Sequence, residues 1–187
     1  MKFATIPVVY VPFCLRKAFF TIRFNSKPPF SENQKYGKEL HTNAAPKIMK
    51  DIIKEEHYQL EVPCSYSIDD WTVRGRADAV STDAVYEFKF TGNVHSAPFA
   101  SAAMQTAAYC KMLHRKRCYV VFVDRNDTSN VNICNVSNVE KKWDSFLGRA
   151  EALVHHLQCD EIPDIHSPTF HWECKNCQWK IVCARLR

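Results

Sequence analysis

The chain has 187 residues, 46% hydrophobic and 24% charged, with 25 Lys and Arg against 20 Asp and Glu for a formal charge of +5. That length and balance fit one domain with a sizeable core and exclude wholesale disorder or a pair of full-sized domains. The longest apolar stretch, Ile6 to Leu15, is broken by Pro7 and Pro12 and followed by Arg16 and Lys17. It is shorter than the ~20 residues of a membrane span and lacks a secretory cleavage site, so a cytoplasmic protein without membrane contact is expected. The basic excess favours polyanionic partners, although a solvated basic face would give the same balance. The 9 cysteines are an odd number, which argues against a disulfide framework and for metal ligation by some of them, the rest reading as core.

In chain order, Pro12 opens a helix over 13–20, and Pro28 with Pro29 marks a break. A helical pattern runs from Ser31 to about Ala45, and Pro46 starts a second piece to about Glu56. Leu60 to Val62, Trp71 to Val80 and Val85 to Phe90 read as strands, the last two joined in a hairpin. Residues 97–114, rich in alanine, form a helix that packs closely on the sheet. Strands follow at Arg117 to Asp124 and Asn130 to Val136, and Ser137 with Glu140 makes a capping box for a helix to about Gln158. Pro163 and Pro168 bound a polar linker before the terminal cysteine segment.

Alternation in Val85 to Phe90 places Glu87 and Lys89 on one face and Tyr86, Phe88 and Phe90 on the core face. If a tight turn sets Val80 opposite Val85, paired numbers sum to 165 and Asp78 stands opposite Glu87. Two adjacent carboxylates repel unless a cation lies between them. Asp78, Glu87 and the backbone carbonyl of Phe88 would hold Mg²⁺ or Mn²⁺, with Lys89 orienting or deprotonating an attacking water. The competing reading is a surface ion-pair cluster on a half-exposed hairpin.

Gly75-Arg76-Ala77-Asp78 followed by Glu87-Phe88-Lys89 resembles the PD-(D/E)xK motifs of RecB-type nucleases, with the proline replaced. Gln105 to Tyr109 is similar to the downstream QxxxY motif, and Gly37 to His41 to the upstream GxxxH. The resemblance implies that His41 is a further metal ligand and that Gln105 and Tyr109, four apart on one helix face, position Lys89 or the DNA.

Cys174, Cys177 and Cys183 lie within ten residues and lack a local fourth thiolate. His171 would complete a zinc site, the commoner type, whereas Cys14 would give four thiolates suited to a [4Fe-4S] cluster. Phe13-Cys14-Leu15-Arg16 together with the terminal trio resembles the CRISPR-associated RecB-like exonucleases and their virus-encoded relatives. That resemblance implies an iron-sulfur cluster on Cys14, Cys174, Cys177 and Cys183. It also implies Mg²⁺- or Mn²⁺-dependent exonuclease action on single-stranded DNA and DNA ends, trimming fragments for CRISPR spacer acquisition beside the adaptation integrase proteins. Phe170, Trp172 and Trp179, with Lys175, Lys180, Arg185 and Arg187, are candidates for contacting bases and phosphates.

The expected fold is α/β: a RecB-type, restriction-endonuclease-like core with a central mixed sheet flanked by helices, plus an iron-sulfur lobe formed by both termini. Residues 1–187 then form a single nuclease domain, with the core at 31–158 and the lobe from 1–30 with 159–187. A second copy of the chain stays open as a partner. The readings from other classes are a non-catalytic DNA-binding iron-sulfur or zinc subunit and a zinc-stabilised interaction module.

Overall fold

The structure, a computed structural model, describes residues 4–26, 32–164, 171–175 and 177–186, without the side chains of residues 33, 34, 171 and 172. The expected break at Pro28 and Pro29, the helix start at Ser31, and Pro168, Phe170, Arg187 and the side chains of His171 and Trp172 lie outside the described residues.

The elements are β1 (Ala4–Pro7), α1 (Leu15–Arg23), α2 (Glu32–Ile48), β2 (Tyr58–Ile68), β3 (Trp71–Ser81), β4 (Ala84–Thr91), α3 (Ala100–Met112), β5 (Arg117–Asp124), β6 (Val131–Asn135), α4 (Val139–Cys159) and α5 (Lys180–Arg185). They fall into two compact units, the first of Met1–Pro29, Ser65–Gly75 and Asp144–Arg187, the second of Phe30–Cys64 and Arg76–Trp143.

In the second unit β4 is an inner strand. It pairs antiparallel with β3 (Ala79 with Tyr86, Val80 with Val85) and parallel with β5 from Ala84 on Arg117 to Thr91 on Asp124. The hairpin register therefore sums to 165, as the alternation requires. β6 lies antiparallel on the far side of β5, and β2 also pairs with β3. The sheet is thus mixed. Helix α2 packs on β4, while α3 packs on β4 and β5. Ala44, Ala45, Ile48 and Met49 of the α2 region share a buried cluster with Tyr86, Phe88, Val121 and Val123. Ala102, Ala103, Ala107 and Ala108 are all buried in α3, so small side chains surround the helix where it meets its neighbours.

In the first unit β1 runs parallel to the opening of β3, Ala4 on Trp71 through Pro7 on Arg74. Ile6, Val8, Val11, Val73, Phe146 and Leu153 are wholly buried there.

Several local expectations are corrected. Strand β1 went unread because its four residues sit beside two prolines in what looks like one apolar run. Pro46 does not open a helix; α2 runs through it and leads into a π-helical turn at Met49–Ile53. A proline that removes one backbone donor near a helix end is compatible with such loosening. Glu140, expected to reach back to Ser137, is held through both oxygens on Lys111 Nζ at 2.9 Å. Asn138 has a left-handed φ of 52° instead of leading smoothly into a cap. Cys110, Cys118 and Cys134 are core residues, but Cys159 is exposed at the end of α4.

Candidate functional site

The motif residues of the second unit converge although they come from four elements. His41 lies on α2, Asp78 near the end of β3, Glu87, Phe88 and Lys89 on β4, and Gln105 and Tyr109 on α3.

Glu87 is the hub. It is only 3% exposed, so the half-exposed ion-pair hairpin does not describe it. Its Oε1 accepts from Lys89 Nζ at 2.7 Å and from Gln105 Nε2 at 2.8 Å. Gln105 Nε2 also donates to the Tyr109 hydroxyl at 3.2 Å, the one-turn spacing of the pair bringing both groups to the same place. Its other oxygen, Oε2, is buried without a hydrogen-bond partner. Asp78 takes a place in the strand ladder by accepting from the Phe88 N–H at 2.8 Å, and it lies 3.6 Å from His41 Nδ1.

The electrostatics carry the same message. Burial pushes Glu87 up to about 7, against Lys89 and reinforced by Asp78. Burial likewise pushes Asp78 up to about 6, opposed by Lys89 and by the Phe88 N–H. Burial lowers His41, despite Glu87, so the imidazole is held in the neutral form that ligates metals. Burial alone would depress Lys89, but Glu87 outweighs it and holds the ammonium charged. Burial raises the Tyr109 phenol, with Glu87 adding to the effect, so Tyr109 is a neutral hydroxyl. A buried and a partly buried carboxylate that resist ionisation, the buried one with an oxygen lacking any donor, form a donor set that fits a hard divalent cation.

One residue of this region escaped the sequence reading. Glu61, on β2, lies with His41 and Asp78 so that one ligand atom from each falls within 4.8 Å of the others. It belongs to no motif, and it has a left-handed φ of 55° inside a strand, which no pattern of alternation anticipates. The three border a cavity of about 280 Å³ that Lys38 and Arg76 also line.

The four candidate cluster cysteines lie in the first unit. Cys14 directly precedes α1, Cys174 ends a short 3₁₀ turn at His171–Cys174, Cys177 follows in a turn, and Cys183 lies on α5. Side chains tie the two ends of the chain together. The Cys14 N–H donates to Glu173 Oε2 at 2.8 Å, Arg16 Nε to the Pro163 carbonyl at 2.7 Å, and Trp179 Nε1 to Thr21 Oγ1 at 3.1 Å. The Trp179 ring lies 5.4 Å from that of Phe20 and 5.6 Å from that of Phe24, so this tryptophan is engaged in packing. The Cys183 thiol is raised mainly by burial, with Arg16 opposing and the charges of Cys177 and Cys14 adding. Cys14 and two of the terminal trio thus share one electrostatic neighbourhood. Among the described residues no three of these sulfurs come within 4.8 Å of one another.

No protein-family model and no curated protein sequence matches the chain. Solved structures do. SSO0001 superposes with a TM-score of 0.72 at 19% identity, over 98% of this chain and 87% of that one. A Eubacterium rectale protein assigned as an exonuclease gives 0.66 at 11% identity, over 98% and 88%. LHK-Exo, an alkaline exonuclease of Laribacter hongkongensis, in its complex with dAMP gives 0.60 at 13% identity, over 84% and 90%. The chain therefore has the mixed α/β fold found in these structures. Among the described residues no helix is long and apolar enough to cross a membrane.

Proposed function

We propose that the chain is a Mg²⁺- or Mn²⁺-dependent deoxyribonuclease that hydrolyses phosphodiester bonds, chiefly as an exonuclease on single-stranded DNA and DNA ends. The observation that carries the reading is the buried Glu87 carboxylate: one oxygen is fixed by Lys89 and Gln105, the other is without a donor, and Asp78 stands beside it. Asp78, Glu87, the Phe88 carbonyl and His41 would hold the cation. Such a cation supplies activation of a water and charge stabilisation on the phosphate. Gln105 locks the rotation of Glu87 so that Oε2 stays available, and Tyr109 accepts from Gln105 and fixes it in turn. Lys89 presents a charged ammonium that orients a water and attracts a phosphate oxygen. The fold shared with the alkaline exonuclease LHK-Exo supports the same class.

The finer reading rests on the family resemblance. It comprises a [4Fe-4S] cluster on Cys14, Cys174, Cys177 and Cys183, trimming of DNA fragments for CRISPR spacer acquisition, and adaptation integrase proteins as partners. The tie between the Cys14 backbone and Glu173, next to Cys174, supports a cluster that joins both ends.

The test is cleavage of end-labelled single-stranded and double-stranded DNA by the anaerobically purified protein in Mg²⁺, Mn²⁺ and chelator. Metal-dependent shortening from the ends is expected, abolished in Asp78→Ala. Intact DNA in every metal condition would overturn the reading.

A further inference from the structure

We propose that Glu61 is an additional divalent-metal ligand, and that Arg76 occupies it as a stand-in cation in the metal-free protein. The proposal rests on the metal-dependent nuclease reading but assigns residues that reading does not use.

Ligand atoms of His41, Glu61 and Asp78 lie within 4.8 Å of one another, at a spacing one ion could span with small side-chain movements. The set combines a nitrogen and two carboxylate oxygens from three different elements. A second observation points to a cation on the Asp78 side of this group: the 3%-exposed Glu87, next to Asp78, has an Oε2 with no partner. Asp78 belongs to both groups, so it links Glu61 to the Glu87 side of the site.

Glu61 Oε2 meets Arg76 Nε at 2.5 Å, with the side chains 47% and 64% exposed. An exposed ion pair of this kind contributes little and exchanges readily. A divalent ion offers the same carboxylate twice the charge on a compact centre, so it displaces the guanidinium. Arg76 lines the same cavity as His41, Glu61 and Asp78 and therefore competes directly with the incoming ion.

The two partners are thus expected to act in opposite directions. Mn²⁺ binding to the whole protein without DNA is measured by titration calorimetry and by the electron paramagnetic resonance signal of free Mn²⁺. Glu61→Gln should weaken binding by roughly tenfold or more, the scale on which lost site partners act. Arg76→Met should tighten it by roughly threefold, the screened effect of one unit charge beside a divalent ion. Unfolding curves in chelator check that both variants remain folded, and Glu61→Asp should recover part of the affinity. Parental Mn²⁺ binding in Glu61→Gln overturns the ligand assignment, and so does equal weakening by both variants, which would mark a merely structural pair. Glu61-dependent Mn²⁺ binding by a parent protein that leaves DNA intact supports the assignment and overturns only the nuclease reading.

Discussion

Replacing Glu87 by Gln should separate what stabilises this protein from what makes it act. Glu87 is raised from an ordinary 4.5 to about 7, chiefly by burial, so its charged form is disfavoured in the metal-free fold. Because the folded value lies above the unfolded one, its contribution is fully present below about pH 4.5 and is lost as pH rises through about 7. The interval corresponds to about 3 kcal/mol at full ionisation. Glutamine keeps the shape and an oxygen for Lys89 without the buried charge, and the loss of the Lys89 counter-charge offsets part of the gain, so the full interval is an upper bound. In chelator at pH 8 the Glu87→Gln protein should therefore be at least as stable as the parent, by up to about 3 kcal/mol. At pH 5, where the parent carboxyl is largely protonated, the two should nearly coincide. With Mn²⁺ the order reverses: the parent gains stability by binding and the variant does not. Urea unfolding at both pH values, with and without Mn²⁺, gives all four comparisons, and DNA cleavage is followed alongside. A variant markedly less stable than the parent in chelator at pH 8, or one that keeps Mn²⁺ stabilisation and cleavage, would refute the reasoning.

Asp78→Ala and Lys89→Ala should each abolish metal-dependent cleavage while leaving a cooperative unfolding transition, and an active Asp78→Ala protein would end the catalytic assignment. His41→Ala should lower cleavage more in limiting metal than in excess, because a lost ligand reduces affinity before it abolishes chemistry; an unchanged metal titration would demote His41 to a structural role. DNA affinity of the Asp78→Ala protein should fall steeply with salt as neutralised phosphates release counterions, and a flat salt series would favour a non-nucleic-acid role. Cys14→Ser should remove the visible absorbance and bound iron and sulfide of anaerobically prepared protein, whereas Cys110→Ser should not; a full cluster in Cys14→Ser would confine the site to the terminal segment.

The hairpin that carries Asp78 and Glu87 was legible because its alternation is unambiguous and a two-residue Thr82-Asp83 loop leaves one register that keeps Val80 and Val85 buried. The loop does so without glycine, since neither residue takes a left-handed φ. Strand β5 was legible to the residue, as a run of β-branched and aromatic side chains bounded by charges. Strand β2 was read as three residues and runs over eleven, because Pro63 inside it reads as a stop. A proline is tolerated where its missing donor is not needed by a neighbouring strand. Glu61 lies inside the three residues read as strand, and no motif marks it. Its role depends on a left-handed backbone and on neighbours from α2 and β3, neither of which the local sequence announces.

The alanines of α3 link the fold to the chemistry. Gln105 can bond to Glu87 only because α3 lies against β4, and of its buried alanines Ala102 and Ala108 lie within about 60° of Gln105 around the helix. A larger residue at Ala108, which has no exposed surface, fits only if the helix or a neighbour shifts, at the roughly 1–3 kcal/mol typical of overpacking. The displacement would lengthen the 2.8 Å bond from Gln105 to Glu87 while touching no ligand. Glu87 would then be free to rotate, and its partnerless oxygen would no longer be held in place for a cation. Small side chains that look like ordinary helix filler therefore set the geometry of the site, which is why an alanine-rich helix and a QxxxY pair occur in the same thirteen residues.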